Sequence, residues 1–192
     1  ESVLAQTFDN LELIVVDDGS TDGTRDVLQR FVSDRRLIVI DQENSGCVAA
    51  WKAAIDRSTG DLLARMDADD FSEPTRFGQQ VDVLRRCPGA GLVCTGYTTI
   101  DEEGRYLSRS APMATDLGLK LGLLYGTSFA HGTVMVRRQT LLNSGGYRTE
   151  RWPAEDYDLW VRLAIAGCEF ESIPESLYRH RVHRQSVSHT SV

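Results

Sequence analysis

The sequence predicts an α/β fold with a mostly parallel sheet. Three short apolar runs, LELIVV (11–16), LIVID (37–41) and DLLARMD (61–67), each pass into a polar loop and then into a segment with apolar residues at helical spacing. Strands alternating with helices form a sheet covered by helices, and ligands in such sheets bind beyond the carboxyl ends of the strands.

In order along the chain, Val3, Leu4 and Phe8 in ESVLAQTF predict the end of an amphipathic helix. The start without Met reads as an N-terminally truncated chain. LELIVV is a buried strand ending in DDGS, and GSTDGT supplies turn and N-cap residues. RDVLQRFV then places Val27, Leu28, Phe31 and Val32 on one helical face. After LIVID and the loop ENSG, CVAAWKAAI carries Val48, Trp51 and Ile55 at helical spacing. After DLLARMD and ADDFSEP, Pro74 opens a helix with Phe77, Val81 and Leu84.

The second half is less regular. GLVCTGYTTID reads as a strand, EEGR as a turn and YLSRSA as a returning strand. ATDLGLKLGLLYG is a helix, GTVMVRR a strand, and RQTLLNSGG a short helix stopped by Gly145 and Gly146. PAEDYDLWVRLAIAG is a helix with Pro153 before its acidic first turn and Gly167 at its end.

With 192 residues, 41% of them hydrophobic, the chain suffices for one packed core. It shows no internal repeat or low-complexity linker, so a single domain over 1–192 is expected. The net charge of −7 excludes a general nucleic-acid binder. An anionic ligand has to be held locally. No apolar stretch approaches the ~18 to 20 residues of a membrane span, and no signal-peptide pattern opens the chain, so a cytoplasmic protein is expected. Cys47, Cys87, Cys94 and Cys168 are scattered without C-x-x-C or histidines at ligand spacing, and read as reduced core thiols.

The acids concentrate at strand ends. Asp67, Asp69 and Asp70 lie within four positions, and two carboxylates ~5 Å apart repel by roughly 3 kcal/mol at an effective dielectric of ~20. Something cationic has to offset them. A divalent ion suits the spacing, since Mg2+ or Mn2+ takes one or two protein carboxylates and fills its remaining positions with water and phosphate. The alternative is a solvated acidic loop that caps the helix after Pro74. Asp17 and Asp18, at the end of another strand, suit either a nucleotide base or ribose, or an Asx-turn around Gly19 and Ser20.

Glu155, Asp156 and Asp158 open the WVRL helix, where acids are favoured by the helix dipole and a carboxylate could also serve as a general base. Trp160, Leu163 and Ile165 read as core. Arg179, His180, Arg181, His183 and Arg184, with Ser186 and Ser188 close behind, form either a basic surface strand or a cationic partner for a diphosphate. His131 is equally consistent with a hydrogen-bonded core histidine.

Taken in order, SVLAQTF, ELIVVDDGSTDGT, NSG, GDLLARMDADD followed by Pro74, HGTVMVRR, GGY, EDYDLWVRL and YRHRVHRQSVS resemble the inverting nucleotide-sugar transferases of glycosyltransferase family 2, with the GT-A fold. The match runs over nearly the whole chain. The resemblance implies a Rossmann-like nucleotide-sugar-binding half (1–101) and an acceptor-binding, catalytic half (102–192). It implies that Asp18, with Asp17, contacts the nucleobase. By the same resemblance Asp67, Asp69 and Asp70 are implied to form the Asp-x-Asp region for ribose and, through Mn2+ or Mg2+, the diphosphate, with the metal on Asp69 and Asp70. It likewise implies Asp156 as the general base, with Lys52 and His183 at the phosphates.

The implied partners are a nucleotide-sugar donor, a UDP-sugar first, and a saccharide or lipid-linked acceptor for cell-surface polysaccharide or glycolipid synthesis, with peripheral association at the inner membrane face. Two departures stand out. The strand and loop that precede SVLAQTF in the family, expected in the middle of the sheet, are not in this sequence, and Trp51 and Lys52 follow NSG where a basic residue and an Asn are usual. A Gln-x-x-Arg-Trp pattern is missing, which favours single addition over polymerisation. A receiver-type Mg2+-binding signalling module, a sugar nucleotidyltransferase and a catalytically silent binding domain are the competing readings.

Overall fold

The computed structural model describes residues 1–127 and 129–184. Strand β1 (Leu13–Asp18), helix α1 (Thr24–Gln29), strand β2 (Leu37–Gln42) and helix α2 (Cys47–Arg57) come first. Strands β3 (Leu62–Ala64) and β4 (Phe71–Ser72) flank the acidic loop, followed by helix α3 (Arg76–Arg86) and the hairpin β5 (Ala90–Ile100) and β6 (Tyr106–Ser110). Helix α4 (Asp116–Gly122), strand β7 (Met135–Arg137), helices α5 (Arg138–Asn143) and α6 (Glu155–Ile165) and the long strand β8 (Glu169–Arg181) follow among the described residues.

The strands form two sheets. β1 and β2 pair in parallel, and the other six run in the order β3-β7-β5-β8-β4 with β6 on β5. The expectation of a mostly parallel sheet holds for β1–β2 and β5–β8. The pairings β3–β7, β4–β8, β5–β6 and β5–β7 are antiparallel. The sheet is therefore mixed: β6 folds straight back on β5 as a hairpin, while β7, reached through α4, enters antiparallel between β3 and β5, and β4 pairs antiparallel with the distant β8.

Period-two alternation sorts the larger sheet's side chains into two cores. Leu63, Leu92, Cys94, Val136 and Phe170 face a layer of α2, α4, α5 and α6, while Leu62, Val93, Met135 and Ile173 face α3 and the opening residues. Leu159, Trp160 and Leu163 of α6 are fully buried, each contributing about 1.5–3 kcal/mol by the usual area scale. Ile165, expected in the core, is 82% exposed because it sits on the outer side of α6, near the helix end.

A cavity of ≈ 810 Å³ separates the two sheets, lined by Leu13 and Ile14 of β1 on one side and Leu62, Leu63 and Ala64 of β3 on the other. α1 buries none of its residues, and Val27 and Val32 are 47% and 56% exposed. The opening residues form a turn, with Ala5 N donating to Glu1 O at 3.1 Å, rather than the predicted helix end. Val3 is anchored there against the α3 core.

Candidate active site

The acidic loop leaves β3 and turns back through Asp70 N, which donates to Asp67 O at 3.3 Å. Arg65 and Asp67, two apart in an extended segment, point the same way. The guanidinium grips the carboxylate at both oxygens, Nη1 donating to Oδ2 at 2.6 Å and Nη2 to Oδ1. Its other contact is the Trp51 ring, 4.6 Å below. Burial nevertheless pushes the Asp67 carboxyl above its ordinary range against the pull of Arg65, and Asp70 and Asp69 add to the rise.

Asp69 accepts from or pairs with His183 Nε2 at 3.1 Å through Oδ2, and its main-chain oxygen accepts from Arg181 Nε at 2.9 Å. Asp70 is buried. Its carboxylate accepts from the Tyr178 hydroxyl and from Arg181 N at 2.7 Å, and faces His180 Nδ1 at 3.4 Å. Burial raises the Asp70 carboxyl, but the bonds from His180, Tyr178 and Arg181 N together outweigh it and the net shift is downward. Below lies Arg76, fully buried, with its guanidinium 4.9 Å over the Tyr178 ring and Nε donating to Gln80 Oε1 at 3.0 Å. Burial lowers its pKa to about 10, so it stays charged at neutral pH. The three like charges are thus answered by the chain's own cations. The basic tail is the strand β8, aligned along the acidic loop by its antiparallel pairing with β4. Ser186 and Ser188 lie outside the described residues.

Across from the loop, α6 begins with three acids of different fates. Asp158 is a structural anchor, paired with Arg162 at 2.8 Å and Arg151 at 3.5 Å. Glu155 is buried, and its Oε2 has no hydrogen-bond partner among the described residues. Asp156 accepts from Tyr157 N at 2.7 Å through Oδ1, while Oδ2 lies 4.0 Å from His131 Nδ1. Burial raises the carboxyls of Asp156 and Glu155, and Arg65 acts on both in the opposite sense. Such a raised carboxyl holds a proton more readily, the property a general base needs. Arg65 therefore links the acidic loop electrostatically to the start of α6.

The nucleotide-contact candidates of the first sheet stand apart. Asp17 Oδ1 accepts from Ser20 N at 2.8 Å around Gly19, the Asx-type turn, while its buried Oδ2 has no partner among the described residues. Asp18 clamps the loop before α2, accepting from Gln42 Nε2 at 2.7 Å, Ser45 N at 2.9 Å and Gly46 N at 2.9 Å. Lys52 is exposed on α2. Among the described residues no hydrogen bond or ion pair joins Asp17, Asp18 or Lys52 to the acidic loop.

As a metal site the loop offers one carboxylate rather than a cage. Among the described residues no group of three or more His, Cys, Asp or Glu side chains forms a ready cation site. A hard ion that keeps its waters and takes phosphate oxygens needs only one or two carboxylates. Asp69 fits, since its side chain is 43% exposed and its Oδ1 accepts no hydrogen bond among the described residues. Asp70 is occupied by Tyr178, Arg181 and His180.

A mixed sheet covered by helices in this arrangement is the fold of the GT-A glycosyltransferases. Residues 1–146 match glycosyl transferase family 2, and the chain belongs to that family. It is 36% identical over 186 residues to "Putative glycosyltransferase EpsE" of Bacillus subtilis (strain 168), covering 94% of this chain and 66% of that protein. It is 27% identical over 190 residues to "Amylovoran biosynthesis glycosyltransferase AmsE" of Erwinia amylovora, covering 98% and 71%. The crystal structure of S. aureus TarS 1-349 in complex with UDP-GlcNAc shares the fold, with a TM-score of 0.79 at 19% identity, over 100% of this chain and 55% of that one. No helix among the described residues is long and apolar enough to cross a membrane.

Proposed function

We propose that the chain is the catalytic part of an inverting glycosyltransferase that moves a sugar from a nucleotide-diphosphate sugar, a UDP-sugar first, to an acceptor hydroxyl in cell-surface polysaccharide or glycolipid synthesis. The observation that supports the reading is Asp156, a half-buried carboxylate at the start of α6 with a raised pKa, which shares the field of Arg65 with Asp67 of the acidic loop. In this reading Asp156 accepts the proton of the acceptor hydroxyl as that oxygen attacks the anomeric carbon. The nucleoside diphosphate departs from the opposite face, so one displacement inverts the configuration.

The chain's own residues support the donor side. Asp69, beside His183, would hold Mn2+ or Mg2+, which supplies positive charge against the diphosphate when bound. His180 and Arg181 lie alongside the acidic loop, against Asp70 and Asp69, and in this reading would answer charge that grows on the leaving group. The names of AmsE, for amylovoran biosynthesis, and of "Putative teichuronic acid biosynthesis glycosyltransferase TuaG" support the polysaccharide setting, and the UDP-GlcNAc complex of TarS supports a UDP-sugar. Peripheral contact with the inner membrane face would suit a lipid-linked acceptor.

The test is a panel of nucleotide sugars with Mn2+, read as release of nucleoside diphosphate and as a raised melting point, which mass action makes visible for any ligand that binds the folded state. Asp156→Asn is expected to stop turnover and leave donor binding nearly intact. A fall in donor affinity instead would remove the general-base assignment.

A further inference from the structure

We infer that His131 is a positioning residue for Asp156, with the Tyr147 hydroxyl fixing which ring nitrogen carries the proton. The inference rests on the general-base reading of Asp156. It starts from a buried histidine whose two nitrogens face different partners. Nε2 lies 2.7 Å from the Tyr147 hydroxyl, and Nδ1 lies 4.0 Å from Asp156 Oδ2.

The direction of the first bond follows from the acceptors on offer: among the described residues the Tyr147 hydroxyl has no hydrogen-bond partner other than Nε2, so its proton points there. Burial pushes the Tyr147 phenol well above its usual pKa, so it keeps its proton, and burial holds His131 well below its usual value, so the ring is neutral. A neutral imidazole has one donor and one acceptor nitrogen. With the phenol donating into Nε2, the ring proton resides on Nδ1, and the N–H dipole points toward the Asp156 carboxylate.

The ring has little freedom to turn away. Trp51 meets it edge-on at 5.1 Å and 88°, Trp160 at 5.7 Å and 80°, and the Tyr147 ring leans on it at 5.4 Å. Asp156 is thereby held from two sides, Oδ1 by the Tyr157 amide of its own helix and Oδ2 by the Nδ1–H dipole. At 4.0 Å the second contact is longer than a hydrogen bond. A movement of ~1 Å closes it, and lengthened catalytic contacts that tighten on substrate binding are common. Glu155, Asp67 and Arg65 are the other charged groups whose fields reach this cluster. Arg65 packs on the face of Trp51, whose ring also meets His131.

The experiment has a spectroscopic arm that needs no substrate. In 15N-labelled protein, long-range proton–nitrogen correlation is expected to show His131 neutral with its proton on Nδ1. Tyr147→Phe should mix the tautomers, and Asp156→Asn should move the Nδ1 signal. A proton on Nε2, or a Nδ1 signal indifferent to Asp156→Asn, overturns the inference.

The kinetic arm uses the UDP-sugar selected by the nucleotide-sugar panel. His131→Ala should lower kcat about 10- to 100-fold, the scale of a misplaced catalytic group, with donor KM little changed. His131→Asn, whose amide can present an N–H near the former Nδ1, should recover most of the loss, and this variant guards against a merely unfolded alanine protein. Recovery no better than alanine overturns the inference. If Asp156→Asn is inactive while the histidine variants are not, only the role of His131 falls. If Asp156→Asn retains full activity, the base reading itself falls.

Discussion

Tyr178 on β8 donates its hydroxyl to Asp70, 108 positions earlier, and so binds the acidic loop to the longest strand of the sheet. Losing the hydroxyl leaves a buried carboxylate short of a donor. Tyr178→Phe is expected to destabilise the fold by about 1.5–3 kcal/mol, the range for hydrogen bonds to charged groups, as read by denaturant titration. The pH dependence follows from the depressed Asp70 pKa. Its stabilisation is present above the unfolded value of 3.8 and is lost as pH falls through the lower folded value. Without the phenol the folded value rises, so the acid-unfolding midpoint should move to higher pH. An unchanged midpoint would remove the role given to this bond.

Gly132 packs against the same tyrosine. A Cβ at this position would lie 2.2 Å from the Tyr178 hydroxyl oxygen and 2.5 Å from Cζ, too close for either to stay in place. Gly132→Ala should cost about 1–3 kcal/mol, as overpacked cores do, and should shift the Tyr178 ring signals in NMR. Wild-type stability with an undisturbed ring would contradict the packing described.

Arg65→Met keeps the bulk over Trp51 but strands Asp67. A fully buried pair broken on one side costs about 3–5 kcal/mol. Asp67 has a side chain 39% exposed, so solvent screening reduces the expected loss to about 1–3 kcal/mol. Chemical denaturation measures it, and adding Asp67→Asn should restore part of the loss because no stranded charge remains.

Asp156→Asn should raise the melting temperature at neutral pH even as it stops turnover. A carboxyl whose folded pKa is raised binds protons more readily in the folded state, so the folded state loses stability as pH rises through the window between the unfolded value of 3.8 and the folded one. Removing the charge relieves that penalty. Scanning calorimetry at pH 7 should show a rise of a few degrees that shrinks toward pH 4, and a fall in melting temperature would contradict the burial argument.

The two aspartates offered as metal ligands should separate experimentally. Calorimetry of UDP with and without Mn2+ is expected to show metal-dependent binding that Asp69→Ala abolishes. Asp70→Ala should instead lower stability, because its carboxylate is engaged by Tyr178 and Arg181 N. Metal-independent binding of equal strength in wild type and Asp69→Ala would sink the metal assignment.

How much of this was legible in the sequence varied with the kind of signal. Runs of uniform period were clear: α2, α3, α5 and α6 begin and end near their predicted limits, and Gly145, Gly146 and Gly167 all take positive φ at the expected stops. β8 was readable only at its basic end. Pro174 and the register shifts opposite Thr95, Gly96 and Tyr97 break its alternation, so Phe170, Ile173, Leu177 and Tyr178 do not repeat at a strand's spacing. The acids of the site were evident, but the charges that balance them were not all recognised. Arg65 carried a local signal, two residues before Asp67 on the same side of an extended segment. Arg76 carried none, since an arginine in the first turn of a helix is ordinarily solvated. The pairing of His131 with Tyr147 depends on how β7, α5 and α6 come together, which short-range spacing does not encode.

The gap between β1 and β3 has a further consequence for handling the molecule. Among the described residues each of these strands is paired on one side only, β1 with β2 and β3 with β7, so two rows of peptide groups face each other across ≈ 810 Å³ of largely apolar walls. Among the described residues the amides there have no cross-strand partner to retard hydrogen exchange, so in a chain of these 192 residues they should exchange early. An open edge of this kind is adhesive toward extended chain of any origin, so in a chain of these 192 residues self-association on concentration should begin here rather than at the charged loops.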